Sequence, residues 1–136
     1  MSSFKVFDIA GSGMSAESVR LNTVASNLAN ADSVSGDPNN VYKARHPIFQ
    51  AVMGSGSDLS TASVKVTGIN ENQAAPDARY DPGNPLADAQ GNVYAPNVNV
   101  VEEMADMISA SRSYQNNVEV LSTSRDMMLA TLKLGQ

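Results

Sequence analysis

The sequence predicts a mainly α protein whose long N- and C-terminal helices pair as an antiparallel, coiled-coil-like unit, with a small β-rich and irregular insertion between them. Three observations lead there. Apolar residues recur in three- and four-residue steps over the first thirty residues and again over the last forty. Between Asp32 and Asn97 that period gives way to clusters of Gly, Pro, Asn, Asp and Ser. The chain divides accordingly into a helix within 1–31, an insertion over 32–97 and a helix within 98–136.

The N-terminal stripe runs through Phe7, Ala10, Met14, Leu21, Val24 and Leu28, with Glu17 interrupting it. Gly11 and Gly13 each weaken a helix by about 1 kcal/mol relative to Ala. Their presence implies a hinge or a close backbone contact, or else a helix that starts only near Ser15.

In the insertion, Ser35-Gly36-Asp37-Pro38-Asn39-Asn40, Gly54-Ser55-Gly56-Ser57 and Tyr80-Asp81-Pro82-Gly83-Asn84-Pro85 read as turns. The best strand is Ser63 to Ile69, with Val64, Val66 and Ile69 placed to bury while Lys65 and Thr67 face water. Val41 to Phe49 and Asn92 to Tyr94 are expected to pair with it, the latter after a Gln90-Gly91-Asn92 turn. Asn70 to Pro85 reads as a surface excursion or linker.

The C-terminal stripe is cleaner: Val100, Met104, Met107, Ser111, Tyr114, Val118, Leu121, Arg125, Met128 and Leu132 follow alternating steps, and eight of the ten are apolar or aromatic. Pro96 marks the break before it, Asn99 can cap the first turn, and Glu102 can reach back as in a capping box. Lys133 suits the negative pole of the helix dipole and Gly135 can close the helix in a left-handed conformation. From Asn99 to Leu134 such a helix would be about 54 Å long. A 136-residue globule is only about 30 Å across. The helix must therefore protrude or be sheathed by other chains.

Composition narrows the function. Hydrophobic residues make up 42% of the chain but are mostly Ala, Val, Met and Leu, with no Trp and three Phe, so the material for a large self-sufficient core is scarce. The net charge is −5 and the nine Lys and Arg are scattered, which argues against nucleic acid as a main partner. No apolar run is long enough to span a membrane, the N-terminus does not read as a cleaved secretory signal, and the absence of cysteine excludes disulfides and thiolate metal sites.

No catalytic, cofactor-binding or metal-binding constellation emerges. His46 is the only histidine and precedes Pro47 on an extended segment, the signature of a surface residue. Gly11-Ser12-Gly13 lacks the preceding strand, third glycine and following Lys of a phosphate loop. Asp81 and Asp88 lack the alternating oxygen ligands and closing Glu of a calcium loop, and read as turn residues. Glu102 and Glu103, adjacent on a helix, diverge and read as a solvated, dipole-complementing face. An enzyme is not indicated. The stripes themselves admit either a subunit that packs against neighbours or a soluble helical adaptor that closes as a bundle.

One stretch discriminates. Ala25-Ser26-Asn27-Leu28-Ala29-Asn30-Ala31 resembles the Asn-x-Ala-Asn signature that closes the N-terminal helix of flagellar rod and hook proteins. Asn97 to Met104 leading into Ser111 to Val118, together with Asp81-Pro82-Gly83-Asn84-Pro85 and Gly91-Asn92-Val93-Tyr94, bring the resemblance to the short proximal-rod members of that family. It covers nearly the whole chain.

The resemblance implies terminal helices that pair within a subunit and pack between subunits, building a torque-transmitting helical tube around an export channel. The implied partners are copies of the chain itself, the rod proteins FlgB, FlgF, FlgG and FliE, and the flagellar type III export apparatus, with no nucleic acid and no direct membrane insertion. It further implies export without a cleaved signal peptide and assembly in the periplasm. On that basis Phe7, Met14, Leu21, Val24, Leu28, Val100, Met104, Met107, Val118, Leu121, Met128 and Leu132 are assigned to packing within and between subunits. Asn27, Leu28, Ala29 and Asn30 form the family motif, with Asn27 and Asn30 expected to cap the first helix. Arg112, Tyr114, Gln115 and Asn116 are assigned to polar contacts between subunits.

Overall fold

The computed structural model describes residues 3–54 and 62–134, so the Gly135 closure and the Ser55 to Ser57 part of the second turn lie outside the described residues. Helix α1 spans Ser3–Asn30 and helix α2 spans Val100–Leu134. Between them come a single 3-10 turn at Pro38–Asn40 and four strands, β1 Arg45–Met53, β2 Ala62–Glu71, β3 Asp77–Tyr80 and β4 Asn92–Ala95.

α1 runs without interruption through Gly11 and Gly13, and only one of the two glycines meets a neighbour. A Cβ on Gly13 would stand 2.9 Å from Asn117 Nδ2 on α2, whereas one on Gly11 would meet nothing within 4 Å. The close contact, not a hinge, accounts for Gly13. α2 starts where Asn99 Oδ1 accepts from the backbone N–H groups of Val101 and Glu102, at 3.2 and 3.4 Å, satisfying two of the free donors of the first turn. Glu102 makes no return bond, so only the Asn99 half of the capping box forms.

The helices run antiparallel. Asn27 meets Glu103 and Gly13 meets Asn117, an advance of fourteen residues on each helix. On this one-for-one register Ser3 stands opposite Met127, and the last two turns of α2 extend past the start of α1. At about 1.5 Å per residue α2 is roughly 52 Å long.

The insertion contains two separate two-stranded antiparallel sheets, β1–β2 and β3–β4. Asn92 to Tyr94 therefore does not join the Ser63 strand; it pairs with Asp77–Tyr80, inside the stretch read as a linker. The polar sequence of β3 hides a strand whose side chains are all exposed and whose order comes from its backbone partners. Gly91, at φ 81°, provides the left-handed turn residue that feeds β4, and Asp88 holds that turn by accepting from the N–H groups of Gln90 at 2.9 Å and Asn92 at 2.8 Å.

One face of the β1–β2 hairpin is apolar from Pro47 onward, where Pro47 pairs with Ile69, Phe49 with Val66, Ala51 with Val64 and Met53 with Ala62, and ends in the charged Arg45–Glu71 pair. α1 lies against it: Ser12 Oγ accepts from Val64 N–H at 3.1 Å and the Arg20 guanidinium stacks 5.0 Å from the Phe49 ring centroid. The cover is incomplete. Val66 is half-buried, but Val64 and Ile69, expected to bury, are exposed because α1 reaches only part of the face.

Among the described residues the buried apolar side chains are Ala10, Ala16, Val24, Ala44, Val93, Ala95, Pro96 and Ala110. Val93 and Asn27 are the largest side chains buried completely. Such a core is thin, as the composition implies.

Candidate assembly surface and its polar node

The face that α2 turns toward α1 is not the apolar stripe of the sequence. From the contacts at Glu103 and Asn117, alternating steps of four and three give Glu103, Met107, Ala110, Tyr114, Asn117, Leu121, Ser124 and Met128 as the inward row. Glu103, Ala110 and Ser124 are buried and the other five half-buried. This row shares Met107, Tyr114, Leu121 and Met128 with the sequence stripe but departs from it by one residue at every other position. Val100, Met104, Val118 and Leu132, assigned to packing, are all exposed in the single subunit. Small or polar residues, Glu103, Ala110, Asn117 and Ser124, alternate with Met107, Tyr114, Leu121 and Met128 along the contact, and the buried positions of the row are the small or polar ones Glu103, Ala110 and Ser124.

On α1 the stripe of the sequence is covered throughout. Val24 and Ala10 are buried, Phe7, Met14, Leu21 and Leu28 are half-buried, and the position facing α2 beside Leu28 is Asn27. Of the residues assigned to polar contacts, Arg112, Gln115 and Asn116 are exposed, while Tyr114 is half-buried in the inward row.

The outer surface of α2 carries Val100, Val101, Met104, Ile108, Val118, Val120, Met127, Leu129, Leu132 and Leu134, every one exposed. Exposed large apolar residues at this density on one helix mark surface suited to contacts with other chains. Near the overhanging end, Asn116, Glu119, Val120, Thr123, Ser124 and Met127 line an open groove of about 440 Å³.

What orients this surface is a polar node absent from the sequence reading. Asn27 does not cap α1; its amide is fully buried and makes four hydrogen bonds. Nδ2 donates to Glu103 Oε1 at 2.8 Å and to the Arg45 carbonyl at 2.9 Å. Oδ1 accepts from Tyr42 Oη–H and from Arg45 N–H, each at 2.9 Å. Every hydrogen-bonding position of the amide is thereby used. Tyr42 Oη also lies 3.0 Å from Ser26 Oγ, and the Arg45 guanidinium sits 5.6 Å from the Tyr42 ring centroid. One side chain thus joins α1, the strand of chain leading into β1, and α2. Asn30 makes a local bond, Nδ2 donating to the Ser26 carbonyl at 2.8 Å, while Ala29 is exposed.

Glu103 is the second residue whose role differs from the expected one. It is 3% exposed, where a solvated face was expected, because the inward row passes through 103 and not 104. Its Oε2 is buried with no hydrogen-bond partner. Burial pushes its carboxyl above the ordinary value of 4.5, the Asn27 bond and the charge of His46 opposing, and Asp106 and Glu102 adding to the rise. The signal that could have found this pair was the Asn-x-Ala-Asn signature itself, since an asparagine facing a helix partner needs a buried acceptor.

No His, Asp and Glu cluster suited to a metal ion occurs among the described residues, and no described helix is long and apolar enough to cross a membrane.

Comparison with known proteins gives the arrangement a context. A family described as flagella basal body rod protein matches residues 7–36, and one described as flagellar basal body rod FlgEFG protein C-terminal matches residues 89–134. These matches cover most of both helices and leave out the β1–β2 hairpin. The flagellar basal-body rod protein FlgC of Escherichia coli O6:H1 is 54% identical over 136 residues, with both chains covered completely. That of Salmonella typhimurium is also 54% identical over the full length of both. The Agrobacterium fabrum protein of the same name is 40% identical over 127 residues, covering 93% of this chain and 90% of its own. The chain is accordingly a structural protein of the flagellum and not an enzyme. Similarity over the entire length, with rod-protein matches laid on the two helices that carry the exposed apolar surface, means that this chain belongs to the FlgC family of flagellar basal-body rod proteins.

Proposed function

We propose that the chain is a subunit of the proximal rod, in which residues 1–31 and 98–136 form the helical axial core and 32–97 an insertion on its side. The terminal helices pack in coiled-coil fashion against those of neighbouring subunits and build a helical tube that transmits torque and encloses the export channel. The neighbours are other copies of the chain and the rod proteins FlgB, FlgF, FlgG and FliE. The subunit reaches the periplasm through the flagellar type III export apparatus without a cleaved signal peptide. Membership of the FlgC family supports the rod assignment. The observation that carries the assembly reading is the row of exposed Val, Met, Ile and Leu on α2, which has no partner within the described residues. Burying that row against neighbours would contribute about 25 cal/mol for each Å² removed from water. Arg112, Gln115 and Asn116, all exposed, would make polar contacts at such a seam.

Deletion of the gene followed by cryo-electron tomography of cell envelopes tests the reading. Basal bodies that stop at the inner-membrane ring, in non-motile cells rescued by the wild-type copy, are the expected result. Intact rods and normal swimming would overturn it and favour the adaptor alternative.

A further inference from the structure

We propose that Asn27, Tyr42 and Glu103 form a proton-responsive clasp, which fixes the register of α1 on α2 while Glu103 is protonated and loosens when Glu103 ionises.

The geometry supports this in three steps. Asn27 is saturated by four bonds, so it can offer Glu103 only the single N–H already aimed at Oε1. Glu103 Oε2 is buried and unpartnered, so the Asn27 N–H is the one hydrogen bond that the carboxyl receives among the described residues. A neutral carboxyl leaves one hydroxyl unpaired; an anion leaves a charge held by one bond, which costs considerably more.

The charged surroundings do not reverse the preference. On α2, Glu102 and Asp106 both oppose a negative charge at 103, and on β1 His46 favours it. The Arg45 guanidinium lies over the Tyr42 ring and pairs with Glu71, at 3.1 Å, and not with Glu103. The segment before β1 presents the Tyr42 hydroxyl, which is committed to Asn27 Oδ1. On α1, Glu17 and Arg20 lie against each other at 3.8 Å, two to three turns from Asn27.

The sign follows. A carboxyl raised in the folded chain contributes stability at pH below its ordinary value of 4.5 and loses it as pH rises through the interval up to the folded value. The helix pair is therefore tightest in mild acid and is loosened near neutrality. A polar group at a helix–helix contact is also a recognised means of setting register.

Thermal melting of the full-length chain and its Glu103→Gln variant, from about pH 4 to about pH 8, provides the test. Gln keeps the acceptor for Asn27 and cannot ionise. The expected result is near-equal melting temperatures at the acid end and a variant more stable by about 3 °C or more at the alkaline end. A difference that stays constant across the range would overturn the proposal, since a purely structural role moves stability equally at every pH. A second measurement needs no variant: the 13C shift of the Glu103 side-chain carboxyl, followed by NMR in the wild-type chain, should titrate above 4.5. Titration at or below that value would overturn the clasp.

Discussion

Gly13 on α1 faces Asn117 on α2 so closely that a Cβ on the glycine would stand 2.9 Å from the asparagine Nδ2. Alanine at 13 gains about 1 kcal/mol of helix propensity but must displace the amide. Gly13→Ala alone should leave stability within about 0.5 kcal/mol of wild type, and in an Asn117→Ala background it should stabilise by about 1 kcal/mol. Urea denaturation of the four proteins measures the coupling. Equal gains in both backgrounds would remove the contact from the account of this glycine.

Asn27→Ala deletes four hydrogen bonds and leaves Glu103 Oε1, the Arg45 N–H and the Arg45 carbonyl without a partner. Leaving buried groups unsatisfied should cost about 2–4 kcal/mol in total. Tyr42→Phe removes only one donor and should cost about 1 kcal/mol. Chemical denaturation checks both values, and an Asn27→Ala loss no greater than that of Tyr42→Phe would mean the node is not cooperative.

Leu121 and Leu132 separate packing within the subunit from packing between subunits. Leu121 is half-buried in the row facing α1, whereas Leu132 is 69% exposed. Leu121→Asp should destabilise the isolated chain by about 2 kcal/mol by placing a charge at the helix contact. Leu132→Asp should change the isolated chain by less than about 0.5 kcal/mol yet abolish swimming. Melting curves together with a soft-agar motility assay distinguish the two. Normal motility with Leu132→Asp would remove this end of α2 from the seam.

Asp88 has the opposite pH behaviour to Glu103. The Asn92 N–H, ahead of those of Gln90 and Gly91 and the Tyr94 hydroxyl, holds its carboxyl below the ordinary 3.8, with desolvation opposing. In turn the Asp88 carboxylate raises the Tyr94 hydroxyl. A depressed carboxyl contributes stability above its ordinary value and loses it as pH falls through the folded one. The β3–β4 corner should hence open below about pH 3.8, seen as faster amide exchange at Asn92. Asp88→Asn should exchange faster at neutral pH and lose the acid transition. An unchanged acid transition in that variant would assign it to another group.

How much of this was legible in the sequence depends on what each element relies upon. The helix ends were readable because they are local: Asn99 caps α2 with its own side chain, and Lys133 lies in the last turn as the dipole favours. β2 was readable from its alternation, but its burial was not, since that depends on how far α1 reaches across the hairpin. β3 escaped because nothing in Asp77-Ala78-Arg79-Tyr80 is buried, and its partner lies beyond a turn. The inward row of α2 was misplaced at alternate positions for a simple reason: a search for large apolar residues finds Met104 and Val118, whereas the contact uses Glu103 and Asn117. Asn27 stood in the family motif, yet its partners at 42, 45 and 103 are brought to it only by the tertiary fold.

The one-for-one register of α1 on α2 restricts how the chain can be edited. Each residue inserted into a helix rotates everything beyond it by about 100°. One added between Gly13 and Asn27 would swing the Asn117 contact out of line while the Glu103 contact stayed put. Only a matched change of seven in both helices would keep the two in phase, at the cost of a longer subunit. Insertions in the segments outside the helices, such as 31–44, leave this register untouched, while the helices behave as a pair of rulers cut to a common scale.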